Sequence, residues 1–350
     1  MFFLSKEEAQ DWRLKASQIV CEKTAPEAGL VTMNPEFRHY FAYFIGILLC
    51  AKGQIEHGKA WLRSGAHDET IPGNSYLLDY IERHNNTLSM PQVTFSDPRP
   101  FVHFTNVPQI KAARDRFVEH SIESLPRFTH PVKVMDIGCG SGALLIQLLQ
   151  GLVRAKKIAG VEEILFIDPS EKMLGLATQN SKQSFPNVKI VTEQKRIEDV
   201  ECSDATHDIA LAALAWHHMP FETKLIHIKK WGGHVRNFLL FELEANHDTP
   251  EQFSPELAVS MYQAFGGGAA LVLAHDAPKE VQQMSVDYFL MTEAISLMTQ
   301  PRGLRSDYHM LRSQWHELFA QTLGERFKCQ NEETCYSDGK VEFYGLHYGS

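Results

Sequence analysis

The stretch Val132-Lys133-Val134-Met135-Asp136-Ile137-Gly138-Cys139-Gly140-Ser141-Gly142-Ala143-Leu144-Leu145 runs a short apolar strand straight into three glycines at alternate positions. Leu144, Leu145, Leu148 and Leu149 then follow at helical spacing. Glycines at such a junction let a strand turn sharply into a helix, and they let a ligand approach the backbone without meeting a Cβ. Gly138, Gly140 and Ala143 also satisfy the G-x-G-x-x-G/A fingerprint of dinucleotide sites, so the glycines alone leave two kinds of ligand open. Asp136 separates them. A carboxylate beside the loop disfavours a pyrophosphate and welcomes a ligand that carries an ammonium and a sulfonium.

The next strand ends in an acid as well: Glu163-Ile164-Leu165-Phe166-Ile167-Asp168, followed by Pro169-Ser170 and a helical pattern through Met173, Leu174 and Leu176. A carboxylate at that strand end can accept both ribose hydroxyls of an adenosine ligand. With these residues the chain resembles the class I, Rossmann-like family of S-adenosylmethionine (SAM)-dependent methyltransferases, whose first motif is an acid-x-Gly-x-Gly-x-Gly string. Here it stands as Asp136 to Gly142 without departure. The resemblance covers about residues 110 to 350 and is strongest from 132 to 220.

That resemblance implies SAM as cofactor and a cofactor site made by Asp136, Gly138, Cys139, Gly140, Gly142, Asp168, Pro169, Met173, Arg196, Ile197 and Ala213. In it Asp168 is the ribose acid, Met173 lies near the adenine, and a backbone carbonyl near Ala213 faces the methionine amino group. One position departs from the pattern. After the third strand, Val188 to Val191, many family members carry an Asp where this chain has Arg196-Ile197. Either a neighbour such as Gln194 reads the adenine amino group, or the alignment shifts by one or two residues. The fourth strand, from His207 to Pro220, resembles the family's fourth motif, including the pair His217-His218.

The acceptor side is written less sharply. His217 sits at the right strand end to accept a proton or to orient its loop. The fifth strand, Asn237 to Leu243, runs into Glu244-Ala245-Asn246-His247-Asp248, and strand alternation puts Glu242 and Glu244 on one face. Glu242 and His247 join His217 as candidate catalytic residues, because side chains leaving the carboxyl end of a parallel strand are placed to touch ligands. Glu244, Arg305, Tyr308 and His309 are candidate substrate contacts, Arg305 as a clamp for a carboxylate or phosphate. No metal site is assigned. His247 and Asp248 with His309 or His217 would make a two-His, one-carboxylate set, but no spacing fixes it among 17 histidines.

The expected fold is α/β: a seven-stranded, mostly parallel Rossmann-like sheet with one reversed strand, preceded by a helical N-terminal domain. Ser5 and Glu8 have capping-box spacing before a first helix running to about Cys21, and further helices are expected over about Pro35 to Lys52 and Gln54 to Ser64. Pro91, Pro98, Pro100 and Pro108 with Asn85, Asn86, Asp97 and Asn106 predict a break in regular structure. The helical domain is thus expected over 1–108, covering the substrate, mediating a homodimer, or both. The SAM-binding methyltransferase domain comes next over 109–350, with a helical insertion at about 250–321. Gly266-Gly267-Gly268 reads there as a flexible joint, and the chain ends in a strand hairpin.

Composition bounds the rest. With 350 residues, 44% hydrophobic and net charge −9, the chain has material for a large core and no Lys/Arg-rich run, which argues against nucleic acid as partner. Six scattered cysteines without a C-x-x-C pair fit a reducing, cytoplasmic setting. The apolar run Phe41 to Ala51, eleven residues long, is too short to span a bilayer, and no membrane partner is expected. The leading expectation is transfer of a methyl group to oxygen, nitrogen or carbon of a small molecule. The alternatives are a SAM- or SAH-binding interaction module without turnover, or a methyltransferase acting on protein or RNA; an NAD-linked dehydrogenase is opposed by Asp136.

Overall fold

The computed structural model describes residues 2–67, 69–90, 97–201 and 206–350. They form two compact units: Met1–Val107 with Ala245–Met310 and Asp338–Val341, and Pro108–Glu244 with Leu311–Ser337 and Glu342–Ser350.

The second unit is a seven-stranded sheet in the order β3-β2-β1-β4-β5-β7-β6. Its strands are β1 (Val132–Ile137), β2 (Val161–Ile167), β3 (Lys189–Glu193), β4 (His207–Ala213), β5 (Val235–Leu243), β6 (Lys328–Ser337) and β7 (Glu342–Gly349). β1 pairs in parallel with β2 and β4, β2 with β3, and β4 with β5. β7 is antiparallel to both β5 and β6, so it is the single reversed strand of the expected fold. Because β1 to β5 are parallel, their connections must cross over; the helices Ala143–Arg154, Glu171–Ser184 and Phe221–Gly232 do so from β1 to β2, β2 to β3 and β4 to β5. The central strands are buried on both faces: Val134 and Met135 of β1 and Ile209 to Ala212 of β4 are all inaccessible, as near-continuous apolar runs in a covered parallel sheet should be. Strand order reverses at β1, between β2 and β4. In such sheets the carboxyl ends of the strands at the switch point frame a crevice for ligands.

The first unit is helical. The capping box at its start is present: Glu8 N–H donates to Ser5 Oγ at 3.1 Å and Ser5 N–H to Glu8 Oε2 at 2.8 Å, opening the helix Lys6–Glu22. Helices Arg38–Ala51 and Ile55–Ala66 come after it, together with two the sequence pattern did not give, Pro26–Leu30 and Gly73–Arg83. The proline-rich stretch needs correction. Pro91 lies outside the described residues, but Pro98–Asn106 is a helix, opened by Asp97, whose Oδ1 accepts from Arg99 N–H at 2.9 Å. Proline at the first helical position costs no hydrogen bond, since that N–H has no partner in any helix.

The region expected as an insertion into the sheet domain divides otherwise. Residues 245–310 cluster with the N-terminal helices, while the helix Arg312–Thr322 belongs to the sheet unit. Gly266-Gly267-Gly268 is no joint. The three glycines lie inside the unbroken helix Pro255–Ala274 and are buried. A Cβ on Gly266 would come within 3.2 Å of Gly73 Cα, one on Gly267 within 3.3 Å of Val341 Cβ, and one on Gly268 within 3.0 Å of Leu290 Cδ1. The triplet is there for close approach. This helix, and not Phe41 to Ala51, is the most span-like segment: it has the length and composition to cross a membrane, yet 83% of its apolar window is buried.

Candidate functional site

The loop after β1 is pinned to the end of β2, where Gly138 and Cys139 N–H donate to the Ile167 carbonyl at 2.8 and 3.2 Å. Gly138, Gly140 and Gly142 have φ of +64°, +50° and +69°, a left-handed backbone that costs any residue with a Cβ roughly 1–2 kcal/mol. At Gly138 space is closed as well, since a Cβ would stand 2.5 Å from that of Ala215. Gly142 N–H closes the turn on the Cys139 carbonyl at 2.8 Å and delivers the chain into Ala143–Arg154.

Two acids lie under this loop. Asp168, directly after β2, accepts from Gly140 N–H at 3.0 Å through Oδ2 and from Ser170 N–H at 2.8 Å through Oδ1. Asp136, in the body of β1, is 3% exposed. Burial raises the proton affinity of Asp168, opposed by its two N–H bonds. Burial, and then the charge of Asp168, push Asp136 well above the usual carboxylate range, with Arg114 acting against them. Acids held this way take up a cationic ligand group readily, since the ligand supplies the missing counter-charge.

The remaining cofactor candidates differ in exposure. Ser170 caps the helix Glu171–Ser184, which buries Met173, while Pro169 is exposed. Arg196 is exposed, with Nε 3.6 Å from Glu198 Oε1, and the buried Ile197 opens the short turn Ile197–Asp199. Ala213 ends β4. The turn immediately after it has no signal in the sequence pattern: Leu214 has φ +51°, an uncommon conformation for a residue with a branched side chain. Its N–H donates to the Phe241 carbonyl at 2.8 Å, so the chain turns back at once and packs Ala215 against Gly138.

That turn carries His217. Its Nδ1 lies 3.1 Å from Glu242 Oε2 on β5, and both side chains are buried, 5% and 1% exposed. Glu242 N–H and C=O are in the β5–β7 ladder opposite Tyr344, so the carboxylate is held by the sheet. Glu244 is engaged differently. Its carboxylate accepts the Arg312 N–H at 3.1–3.2 Å, at the first turn of Arg312–Thr322, where an anion complements the helix dipole.

In the helical unit, His247 Nδ1 meets Asp307 Oδ2 at 2.7 Å, both inaccessible. Asp248 is paired with Arg302 at 2.6 Å. The Tyr308 hydroxyl accepts from Gly303 and Arg305 N–H at 2.8 and 3.1 Å. His309 N–H donates to Asp307 Oδ1 at 2.8 Å, and its carbonyl accepts from His247 and Asp248. Arg305, 6% exposed, donates Nε to the Gln300 carbonyl at 3.2 Å.

Residues 134–235 match the model of a family described as a methyltransferase domain. The chain carries a class I SAM-dependent methyltransferase domain. Within this methyltransferase domain the matched residues run from β1 through the glycine loop, Asp168 and β4 to the first residue of β5. Among solved structures, SCL7 of Oryza sativa is similar over 87% of this chain and 99% of its own, at 13% identity and a TM-score of 0.57, and shares the fold. The plantazolicin methyltransferase BpumL in complex with SAH is similar over 78% and 98%, at 15% identity and TM-score 0.43. The magnesium protoporphyrin IX methyltransferase of Synechocystis PCC 6803 with bound SAH is similar over 79% and 98%, at 17% identity and TM-score 0.40. No curated protein matches the chain. The methyltransferase domain's own residues fit SAM: left-handed glycines open the backbone to close approach, and two buried acids can supply negative charge for its cationic groups and acceptor oxygens for ribose hydroxyls.

Proposed function

We propose that the protein methylates an oxygen, nitrogen or carbon of a small-molecule acceptor, with His217 receiving the acceptor's proton and Glu242 positioning His217. The observation that carries this reading is the buried pair itself, 3.1 Å from Nδ1 to Oε2, in the same unit as the glycine loop. Bound SAM supplies a methyl group on a sulfonium, an electrophile whose displacement needs chiefly an aligned nucleophile. The chain's part is to hold and to move a proton. With Nδ1–H donated to the Glu242 carboxylate, the imidazole is fixed in the tautomer whose Nε2 is basic. The imidazolium formed when Nε2 takes the acceptor's proton then faces that carboxylate.

Two further observations support a small acceptor. Net charge is −9 without a basic run, which disfavours a polyanion. The imidazole is 5% exposed, within reach of a group that inserts and out of reach of a flat polymer surface. The cysteines among the described residues are free, which supports a reducing, cytoplasmic setting.

The test is SAH formation from SAM with two acceptor sources, a low-molecular-weight ultrafiltrate of cell extract and its retained protein and RNA. SAH formed with the ultrafiltrate, and lost in His217→Gln while that variant still binds SAH by calorimetry, is the expected result. SAH formed only with the retained fraction would overturn the small-molecule assignment. Binding of SAM without SAH formation from either source would leave an interaction module.

A further inference from the structure

The glycine loop is fastened from three directions. Gly138 and Cys139 N–H reach the Ile167 carbonyl, and Gly140 N–H reaches Asp168. The third fastening comes from the helix Glu171–Ser184, which lies against the far end of the loop. A Cβ on Gly142 would stand 3.1 Å from Ala177 Cβ. One turn farther along the helix, the half-buried Asn180 donates Nδ2 to the Ser141 carbonyl at 3.0 Å. Asn180 lies outside both the glycine motif and its acids.

That hydrogen bond sets the direction of one peptide. In a trans peptide the C=O and N–H point opposite ways. With the Ser141 carbonyl turned toward the helix, the Gly142 N–H points back across the turn and donates to the Cys139 carbonyl at 2.8 Å. Turning this peptide over changes only ψ of Ser141 and φ of Gly142, and glycine accepts either sign of φ. The flip would break both bonds. The glycines that let a ligand reach the backbone therefore also leave the loop a second backbone to adopt. A loop that samples two forms binds its ligand only in the competent fraction, and its apparent affinity falls with that fraction.

We propose that Asn180 is a positioning residue for the cofactor loop. By holding the Ser141 carbonyl on the helix side, it keeps the Ser141–Gly142 peptide from turning over, so the loop has its binding form before a ligand arrives. The inference rests on the SAM-binding reading of the methyltransferase domain.

Amide hydrogen exchange of the ligand-free full chain, and calorimetric titration with SAH, test it on wild type, Asn180→Ala and Asn180→Asp. Exchange at Gly142 should speed up about 3- to 10-fold in both variants, the worth of one hydrogen bond, while the amides of β1 and β2 exchange as in wild type. Asn180→Ala should bind SAH about threefold more weakly, and Asn180→Asp about 10-fold or more. The order of the two variants decides the role. A side chain that only fills space is replaced better by Asp, which has the shape of Asn, than by Ala. One that holds a carbonyl is replaced worse by Asp, because an ionised carboxylate has no proton to give and accepts the N–H of a flipped peptide. Tighter SAH binding by Asn180→Asp than by Asn180→Ala would overturn the proposal. Unchanged exchange at Gly142, or faster exchange spread equally over β1 and β2, would do the same. If wild type binds no SAH, the SAM reading falls, and the exchange at Gly142 still decides whether Asn180 holds the loop.

Discussion

Two buried histidine–carboxylate pairs share nearly the same chemistry and differ in how they are embedded. His217 and Glu242 meet at 3.1 Å, His247 and Asp307 at 2.7 Å. In each the carboxylate takes Nδ1. Among the described residues His247 Nε2 has no hydrogen-bond partner, so the makings of a base are present there too. The surroundings diverge. Glu242 is fixed by a sheet ladder, and His217 by the short turn after β4, on the strand that flanks the glycine-loop strand. Asp307 also accepts the His309 N–H, while the His309 carbonyl takes the N–H groups of His247 and Asp248. The second pair thus ties the segment 245–248 to the segment 302–309. A histidine–carboxylate pair does not announce its role by distance or burial; the other groups that each partner holds reveal it.

This contrast can be broken by substitution. The largest effect is expected at the first pair: His217→Gln should lower the rate of SAH formation by about 10²- to 10⁴-fold, the usual worth of a positioned acid or base. Glu242→Gln should lose less and shift the pH–rate profile, because it keeps shape but gives up the carboxylate. Next comes the second pair. Asp307→Ala should destabilise the protein by about 3–5 kcal/mol, as removal of one partner from a buried pair does, read as a lowered urea midpoint. If His247→Gln instead abolishes turnover at unchanged stability, the distinction between the two pairs is wrong. Gly138→Ala should cost about 2–3 kcal/mol, combining left-handed strain with the overlap against Ala215, and it should weaken SAM binding together with stability.

The smallest expected effect is a pH dependence. Asp136 holds its proton to higher pH than an ordinary carboxyl group, chiefly through burial and then through Asp168, with Arg114 opposing. A cationic ligand favours the carboxylate, so SAM affinity should rise as pH rises through that raised value, level off above it, and be accompanied by proton release. For the ligand-free protein the sign is reversed. A carboxyl whose folded value is raised costs stability once pH passes the ordinary carboxylate range, so Asp136→Asn should be at least as stable as wild type at neutral pH. Tm measured across pH without ligand reads this directly.

The glycine loop, its acids and the alternation of strands and helices behind a mostly parallel sheet were legible because their signals are local. A strand ending in Asp-x-Gly-x-Gly-x-Gly needs only neighbouring residues to be understood, and the reversed β7 belongs to a recognisable terminal hairpin. The features that stayed hidden depend on distant partners. Gly266 to Gly268 have the same letters whether they flex in a loop or let Gly73, Val341 and Leu290 come close. Pro98 has the same letter whether it breaks a helix or opens one. The clustering of residues 245–310 with the N-terminal helices is tertiary and leaves no mark in periodicity. Leu214 was hidden because leucine is the last residue a turn pattern would choose for φ +51°.

If Asp136, Asp168 and the glycine loop form a SAM site, calorimetric titration of wild type and Asp168→Ala with SAM and SAH will register it. Wild type is expected to bind both ligands, and the variant to lose about 10-fold or more, about 1.4 kcal/mol. A wild-type protein that binds neither ligand at millimolar concentration, or a variant that binds both as tightly as wild type, would contradict it.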